Sequence, residues 1–137
     1  MLTLDQDQYD TLVAHARGDY PNEACALLGG VAATGRVSSF HAARNRHASP
    51  LRFDVHPEDL VRIMFALESA GEELMAVFHS HTRARAVPSE TDIREAHYNA
   101  VQVIATLADP AADAPSALRA WRVRDGSAVE VAVRISE

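Results

Sequence analysis

Two histidines and an aspartate with the spacing of metal ligands follow an apolar run in the second half of the chain. His79 and His81 are separated by a single residue, and Asp92 comes after a loop that also carries Ser89. Side chains of an extended strand alternate between its two faces, so both imidazoles project to the same side and can reach one cation. The loop can bring Asp92 round as a third ligand. The pattern therefore predicts a metal site at the end of a strand.

Such a ligand set has a definite chemical use. Three nitrogen or oxygen ligands leave one tetrahedral position of a zinc ion open, and a catalytic zinc needs that position to hold water. The ion lowers the pKa of this water to about 7, which makes hydroxide available at neutral pH. Hydroxide formed in this way also requires a proton acceptor nearby. The pattern thus favours a catalytic zinc site.

Each of these residues also has an ordinary structural explanation. A His-x-His sequence at a strand end is commonly incidental. Ser89 and Asp92 have the spacing of a helix N-cap and an acidic residue in the first turn, which the helix dipole favours. Glu23 by itself would be a surface carboxylate near the start of a strand. The metal-site prediction rests on the combination of these residues.

The positions of the apolar residues predict alternating strands and helices. Thr3 and Gln6 form a possible capping box, His56 is expected to cap a helix, and Asp125-Gly126 is a hairpin signal. The predicted helices cover 3–20, 57–70 and a segment from Ser89 towards Tyr98. The predicted strands cover 23–30, which ends in a glycine turn, then 35–42, 52–55, 74–78, 101–107, 117–124 and 128–135. The predicted fold class is α/β or α+β, with a mixed sheet flanked by helices.

Composition limits the classes of protein that fit this chain. Its 137 residues, 47% hydrophobic and 23% charged, predict one globular domain over 1–137 with a hydrophobic core. A net charge of −6 without a basic block argues against nucleic-acid binding. Cys25 is the single cysteine, which excludes an internal disulfide and a cysteine-only zinc site and fits a reducing compartment. With no signal-peptide pattern and no apolar run of about 20 residues, a cytoplasmic protein without a membrane span is expected.

The motif His-Ser-His, seven residues, then Ser-x-x-Asp resembles that of the JAMM (MPN+) metallopeptidases. Upstream, the segment Glu23-Ala-Cys25 matches the position of the family's general base. The order of the predicted elements agrees with the family over nearly the whole chain. The short length, the segment Ser49-Pro-Leu-Arg-Phe53 and the closing hairpin are most similar to the small bacterial members that act on sulfur-carrier proteins.

The resemblance implies a role for each motif residue. It implies a JAMM/MPN fold, which is a cytidine-deaminase-like mixed sheet flanked by helices. It also implies one Zn²⁺ per chain, held by His79, His81 and Asp92. Glu23 would take a proton from the attacking water and return it to the leaving amine. Ser89 would donate to the oxyanion of the tetrahedral intermediate.

Three functions follow from the resemblance and remain open at this point. The first is a peptidase that cuts after the Gly-Gly tail of a ubiquitin-like sulfur-carrier protein and releases cysteine or a short extension. The second is an isopeptidase that removes ubiquitin-like modifiers from proteins, and the third is a metal-free, non-catalytic scaffold. A zinc deaminase is excluded because it needs at least two cysteine ligands and only Cys25 exists. The oligomeric state is open, and a dimer is possible.

Overall fold

The strands of the computed structural model form one mixed sheet, and the structure describes residues 1–96, 99–108 and 118–137. The strands are β1 Leu2–Asp5, β2 Cys25–Val31, β3 Arg36–Ala43, β4 Glu73–His81, β5 Val101–Thr106, β6 Leu118–Arg124, β7 Ser127–Val131 and β8 Val133–Ser136. The helices are α1 Gln6–Asp19, α2 Pro57–Ser69 and α3 Glu90–Arg94. The predicted mixed sheet with flanking helices is confirmed.

The strand order is β7-β6-β5-β4-β2-β3-β1-β8. The pairs β4/β5, β1/β3 and β1/β8 are parallel, whereas β2 pairs with β3 and β4 in antiparallel fashion. β7 and β8 lie at opposite edges, although only Ala132 separates them in the chain. The sheet therefore has to curl until its two edges approach each other. The Leu2 amide donates to the Ala132 carbonyl at 2.9 Å at this junction.

The alternation of side chains along β2 and β4 divides the hydrophobic core between the two faces of the sheet. Ala76 and Phe78 of β4 pack in the same cluster as Leu12 of α1. Val77 belongs to a second cluster, which includes Ile63 of α2. The next residues of this row after Val77 are the two histidines of the predicted metal site. The fold therefore places them on the α2 side of the sheet.

The start of the chain differs from the prediction of a helix over 3–20. Residues Leu2–Asp5 form β1, which pairs with both β3 and β8. Asp5, not Thr3, is the N-cap of α1: its carboxylate accepts from the Gln8 amide at 2.8 Å, and the Gln8 side chain accepts from the Asp5 amide at 2.9 Å. Pairing with strands that are distant in sequence thus makes this segment a strand, although its local residue spacing predicts a helix.

Other predicted boundaries also shift. The predicted strand 52–55 contributes only one bridge, between Asn45 and Val55. The predicted glycine turn lies inside β2, where a Cβ at Gly30 would lie 2.6 Å from a backbone carbonyl oxygen of β3. Ala132 divides the predicted strand 128–135 into β7 and β8. The third helix ends at Arg94, and the predicted limits Tyr98 and Ala117 lie outside the described residues.

The predicted start of α2 and the predicted hairpin turn are confirmed. Helix α2 begins at Pro57, and His56 caps it because its Nδ1 accepts from the Glu58 amide at 3.2 Å. Asp125 and Gly126 have positive φ angles of 52° and 76°, which suits a two-residue hairpin. None of the helices in the described ranges has the length and apolar content needed to span a bilayer.

Candidate metal centre

Three buried side chains converge at the end of β4. Nε2 of His79 and Nε2 of His81 lie 3.2 Å apart, and Oδ2 of Asp92 lies 3.1 Å and 3.0 Å from them, respectively. The three residues are between 0% and 8% exposed. β4 extends through His81, so the period of two places both imidazoles on one face. The structure therefore brings together the three predicted ligands, and they form a group that could hold a metal ion.

Helix α3 places Asp92 through a capping box. Ser89 Oγ accepts from the Asp92 amide at 3.0 Å, and Asp92 Oδ2 accepts from the Ser89 amide at 2.9 Å. The same carboxylate oxygen faces both histidines. The N-cap explanation and the ligand explanation of this sequence are thus compatible, because one short helix start satisfies both.

A loop carbonyl fixes the ring of His81. Its Nδ1 lies 2.7 Å from the Arg85 carbonyl oxygen. Since a carbonyl only accepts, Nδ1 carries the proton and donates, which leaves Nε2 with a lone pair for a metal. The neighbouring carbonyls are held as well: Thr106 Oγ1 donates to Ala84 at 2.6 Å and Trp121 Nε1 donates to Ala86 at 2.9 Å. Three successive carbonyls of this loop are therefore bound by side chains.

His79 is oriented by an aromatic contact. Phe53 stacks on its ring with centroids 4.2 Å apart and planes inclined by 17°. His79 is fully buried, and within the described ranges its Nδ1 has no hydrogen-bond partner. Phe53 belongs to the loop between β3 and α2. That loop therefore supports one of the candidate ligands directly.

Glu23 lies just ahead of β2 and is only 4% exposed. Its Oε1 is buried and has no hydrogen-bond partner in the part of the chain that the structure describes. Burial raises the pKa of Glu23 to about 8, against the opposing effect of nearby His81. Glu23, His81 and Ser89 line one cleft of about 280 Å³, together with Pro50 and Thr82. The structure thus places the two predicted catalytic residues beside the ligand group.

The electrostatics of the ligand group suit a cation. Burial disfavours an ionised Asp92, but hydrogen bonds with His79 and His81 outweigh it and hold the pKa of Asp92 well below its usual range. Burial lowers the pKa of His79, whereas bonds to Asp92 and the Arg85 carbonyl outweigh burial and raise the pKa of His81. The hydrogen bonds from the two histidines to Asp92 place protons between the ligand atoms, and a metal cation can take the place of those protons. An ionised carboxylate with two imidazole nitrogens is a donor set that fits a divalent metal.

Sequence reasoning did not identify the residues that support the ligands. Trp121 carries one sequence signal, because a buried indole N–H usually has a hydrogen-bond partner and a tryptophan in a predicted strand therefore indicates such a contact. Phe53 belongs to a segment that resembles the small bacterial members of the family, and nothing in the sequence singles out Thr106. Cys25, the single cysteine, is fully buried in the cluster beside α2, and burial raises the pKa of its thiol to about 12.

Comparison with known proteins agrees with this geometry. The family described as "Prokaryotic homologs of the JAB domain" matches residues 5–124. The CysO-cysteine peptidase of Mycobacterium tuberculosis is 32% identical over 142 residues, which covers 100% of this chain and 92% of the relative. A desampylase of Haloferax volcanii is 36% identical over 102 residues, covering 71% of this chain and 73% of the relative.

A solution structure of a protein from Desulfitobacterium hafniense shares the fold, with a TM-score of 0.86 and 30% identity. The superposition covers 100% of this chain and 94% of that protein. The family match spans most of the chain, and a relative above 30% identity spans all of it. The chain therefore belongs to the family of prokaryotic homologues of the JAB domain, the JAMM/MPN group.

Proposed function

We propose that this chain is a zinc-dependent peptidase that hydrolyses the bond after the C-terminal Gly-Gly of a ubiquitin-like sulfur-carrier protein. The observation that carries the proposal is a buried group of three ligand atoms, 3.0–3.2 Å apart, one of whose residues, His81, lines a cleft together with Glu23. Similarity to a CysO-cysteine peptidase over the full chain supports the substrate class. Residues 1–137 act as one domain in this proposal, since both hydrophobic clusters pack on the same sheet.

The chain's own side chains would hold one zinc ion through His79, His81 and Asp92. A zinc ion with three protein ligands polarises a carbonyl and lowers the pKa of a water molecule. The Arg85 carbonyl keeps the proton of His81 on Nδ1, so Nε2 stays available as a ligand. The stacking of Phe53 restricts the ring of His79. These contacts allow the two imidazoles to meet the ion without a large rearrangement.

Glu23 serves as the general base and then as the general acid. Its buried Oε1 accepts the proton of the attacking water and later returns it to the leaving amine. Without an ion, burial raises the pKa of Glu23 to about 8, so the carboxyl holds its proton at neutral pH. The positive charge of a bound ion favours the ionised form, which the base needs.

Ser89 stabilises the negative charge that develops on the scissile carbonyl oxygen. Its Oγ accepts from the Asp92 amide, which leaves the hydroxyl hydrogen able to donate into the cleft. A donor already fixed by a helix cap loses little freedom when the reaction begins. Losing such a donor typically slows turnover by about 10²–10³-fold.

An isopeptidase is the second candidate, because the chain is 36% identical to a desampylase over 102 residues. Both candidates use the same side chains and differ only in the leaving group. A cytoplasmic enzyme is in line with the single, buried Cys25, which suits a reducing compartment. We propose a protein partner and no nucleic acid, in keeping with the net charge of −6.

Mass spectrometry of a carrier protein after incubation with the zinc-loaded chain tests the proposal. A carrier ending in Gly-Gly-Cys should lose one cysteine residue, and the Glu23→Gln protein should leave it intact. Cleavage of an isopeptide-linked conjugate but not of this carrier would favour the isopeptidase. No hydrolysis of either substrate would contradict both and favour the non-catalytic scaffold.

A further inference from the structure

Glu23 lies ahead of β2, so the ladder of that strand does not fix its peptide. Its backbone is held instead by the loop between β3 and α2. The Glu23 amide donates to the Ser49 carbonyl at 2.8 Å, and the Glu23 carbonyl accepts from Asn45 Nδ2 at 3.1 Å. Both backbone polar groups of Glu23 therefore depend on one loop, while the amide of the next residue, Ala24, donates to Ser80 Oγ of β4 at 2.8 Å. The direction of the Glu23 carboxylate follows from the placement of that peptide.

Asn45 joins the loop to Glu23 with a single side chain. Besides the Glu23 carbonyl, its Nδ2 donates to the Arg52 carbonyl at 3.0 Å. Its Oδ1 accepts from the amides of His47 and Asp54, each at 3.1 Å. The side chain uses both donors and two acceptor positions, and a short amide is the group that offers this combination. The Asn45 oxygen thus binds groups of the loop, whereas its amide nitrogen binds both the loop and Glu23.

We propose that Asn45 is a positioning residue for Glu23. The Asn45 amide fixes the Glu23 peptide, and this directs the buried carboxylate into the cleft that it shares with His81 and Ser89. The inference rests on the proposed peptidase function, in which Glu23 carries the proton. It goes beyond that function because Asn45 belongs to no part of the metal motif and does not line the cleft. Asn45 acts through Glu23 and contacts no reacting atom.

Asn45→Asp separates the two halves of this side chain. A carboxylate keeps the acceptor oxygens for the amides of His47 and Asp54 but has no donor for the carbonyls of Glu23 and Arg52. The two acceptor contacts within the loop remain, while the bonds to the Glu23 and Arg52 carbonyls are lost. His47→Ala is the matched control, since it alters a side chain of the same loop and its backbone amide still donates to Asn45.

Steady-state kinetics of zinc-loaded protein give the first readout. We expect Asn45→Asp to lower kcat by about 10–100-fold, because small misplacements of a catalytic group have effects of this size. KM and zinc content should stay close to those of His47→Ala, while the melting temperature should fall because Asn45→Asp loses two hydrogen bonds. In a Glu23→Gln background, Asn45→Asp should change the residual rate by less than about twofold, since the group that it positions is gone. Equal losses in both backgrounds, or an unchanged kcat, would overturn the proposal.

Hydrogen exchange of the Glu23 amide in the metal-free chain gives a readout that needs no activity. We expect exchange to be about tenfold faster or more in Asn45→Asp and unchanged in His47→Ala, because loosening the contact between the loop and Glu23 separates the Glu23 amide from the Ser49 carbonyl more often. Equal exchange rates of the Glu23 amide in Asn45→Asp and His47→Ala would overturn the proposed link between Asn45 and Glu23. If the parent cleaves no conjugate, the proposed function fails while this exchange measurement still decides the role of Asn45. Asn45→Ala replaces Asn45→Asp if the latter does not fold, and failure of both to fold assigns Asn45 to stability and overturns the proposal.

Discussion

Thr106 provides a sharp test of how the fold holds His81, although it contacts no ligand atom. Its Oγ1 donates to the Ala84 carbonyl at 2.6 Å and accepts from the Ala108 amide at 3.1 Å. Ala84 immediately precedes Arg85, whose carbonyl orients the His81 ring. Thr106→Val keeps the shape of the side chain and removes both hydrogen bonds. Thr106→Ser keeps the hydroxyl and loses only a methyl group, so it is the matched control.

The expected size of the effect follows from these contacts. Thr106 is buried, whereas Ala84 is exposed, so water can reach the Ala84 residue once the threonine hydroxyl is removed. Losing a hydrogen bond of this kind costs about 0.5–1.5 kcal/mol, and we expect the free energy of unfolding of the metal-free chain to fall by about that amount. Loosening the loop should also weaken metal binding by up to about tenfold, the lower limit for contacts that orient a ligand.

Two measurements check this prediction. Chemical denaturation of metal-free Thr106→Val and Thr106→Ser gives the difference in unfolding free energy. Competition with a chromophoric chelator gives their relative zinc affinity. A valine variant as stable as the serine variant, with equal zinc affinity, would refute the reasoning that side chains outside the motif hold the loop carbonyls.

Three further predictions concern the site and the fold. Glu23→Gln should retain zinc in elemental analysis and lose hydrolysis, and turnover near the parent rate would place the general base elsewhere. Ser89→Ala should raise the activation barrier by about 2.7–4 kcal/mol in kcat measurements if oxyanion donation is its whole role, and an unchanged kcat would contradict that role. The pKa of Asp59 is lowered from 3.8 to about 2 because Arg44 donates to its carboxylate. The ionised Asp59 stabilises the fold above pH 4, and this stabilisation is lost as the pH falls towards 2. Asp59→Asn should therefore lower the free energy of unfolding by about 1 kcal/mol at neutral pH and make it less dependent on pH below 4. The same pH dependence in both proteins, measured by denaturant titration, would contradict this.

Local signals in the sequence predicted the elements that depend on local contacts. Pro57 after a capping His56, and the Asp125-Gly126 turn, need only their neighbours to take effect, and both were predicted correctly. The segment Leu2–Asp5 was predicted wrongly as part of a helix. Its pairing partner β8 lies at the other end of the chain, and no local pattern reports such a contact.

The residues of the candidate site also differ in whether local sequence predicts their positions. His79, His81 and Asp92 lie within one short stretch, so strand period and helix capping were enough to predict that they converge. Glu23 came from the family resemblance, because spacing alone does not tell which upstream carboxylate reaches a metal. Asn45 could not have been predicted. It acts on carbonyl groups, which every residue carries, so its role appears only when the loop is folded.

The zinc content of His81→Ala tests the central claim most directly. Purified parent protein should contain about one zinc per chain by elemental analysis, since three protein ligands and one open position describe a catalytic zinc site. His81→Ala should contain almost none after the same purification, while His47→Ala, which removes a histidine outside the ligand group, should match the parent. Full zinc occupancy in His81→Ala would contradict the assignment of the metal centre and, with it, the proposed peptidase.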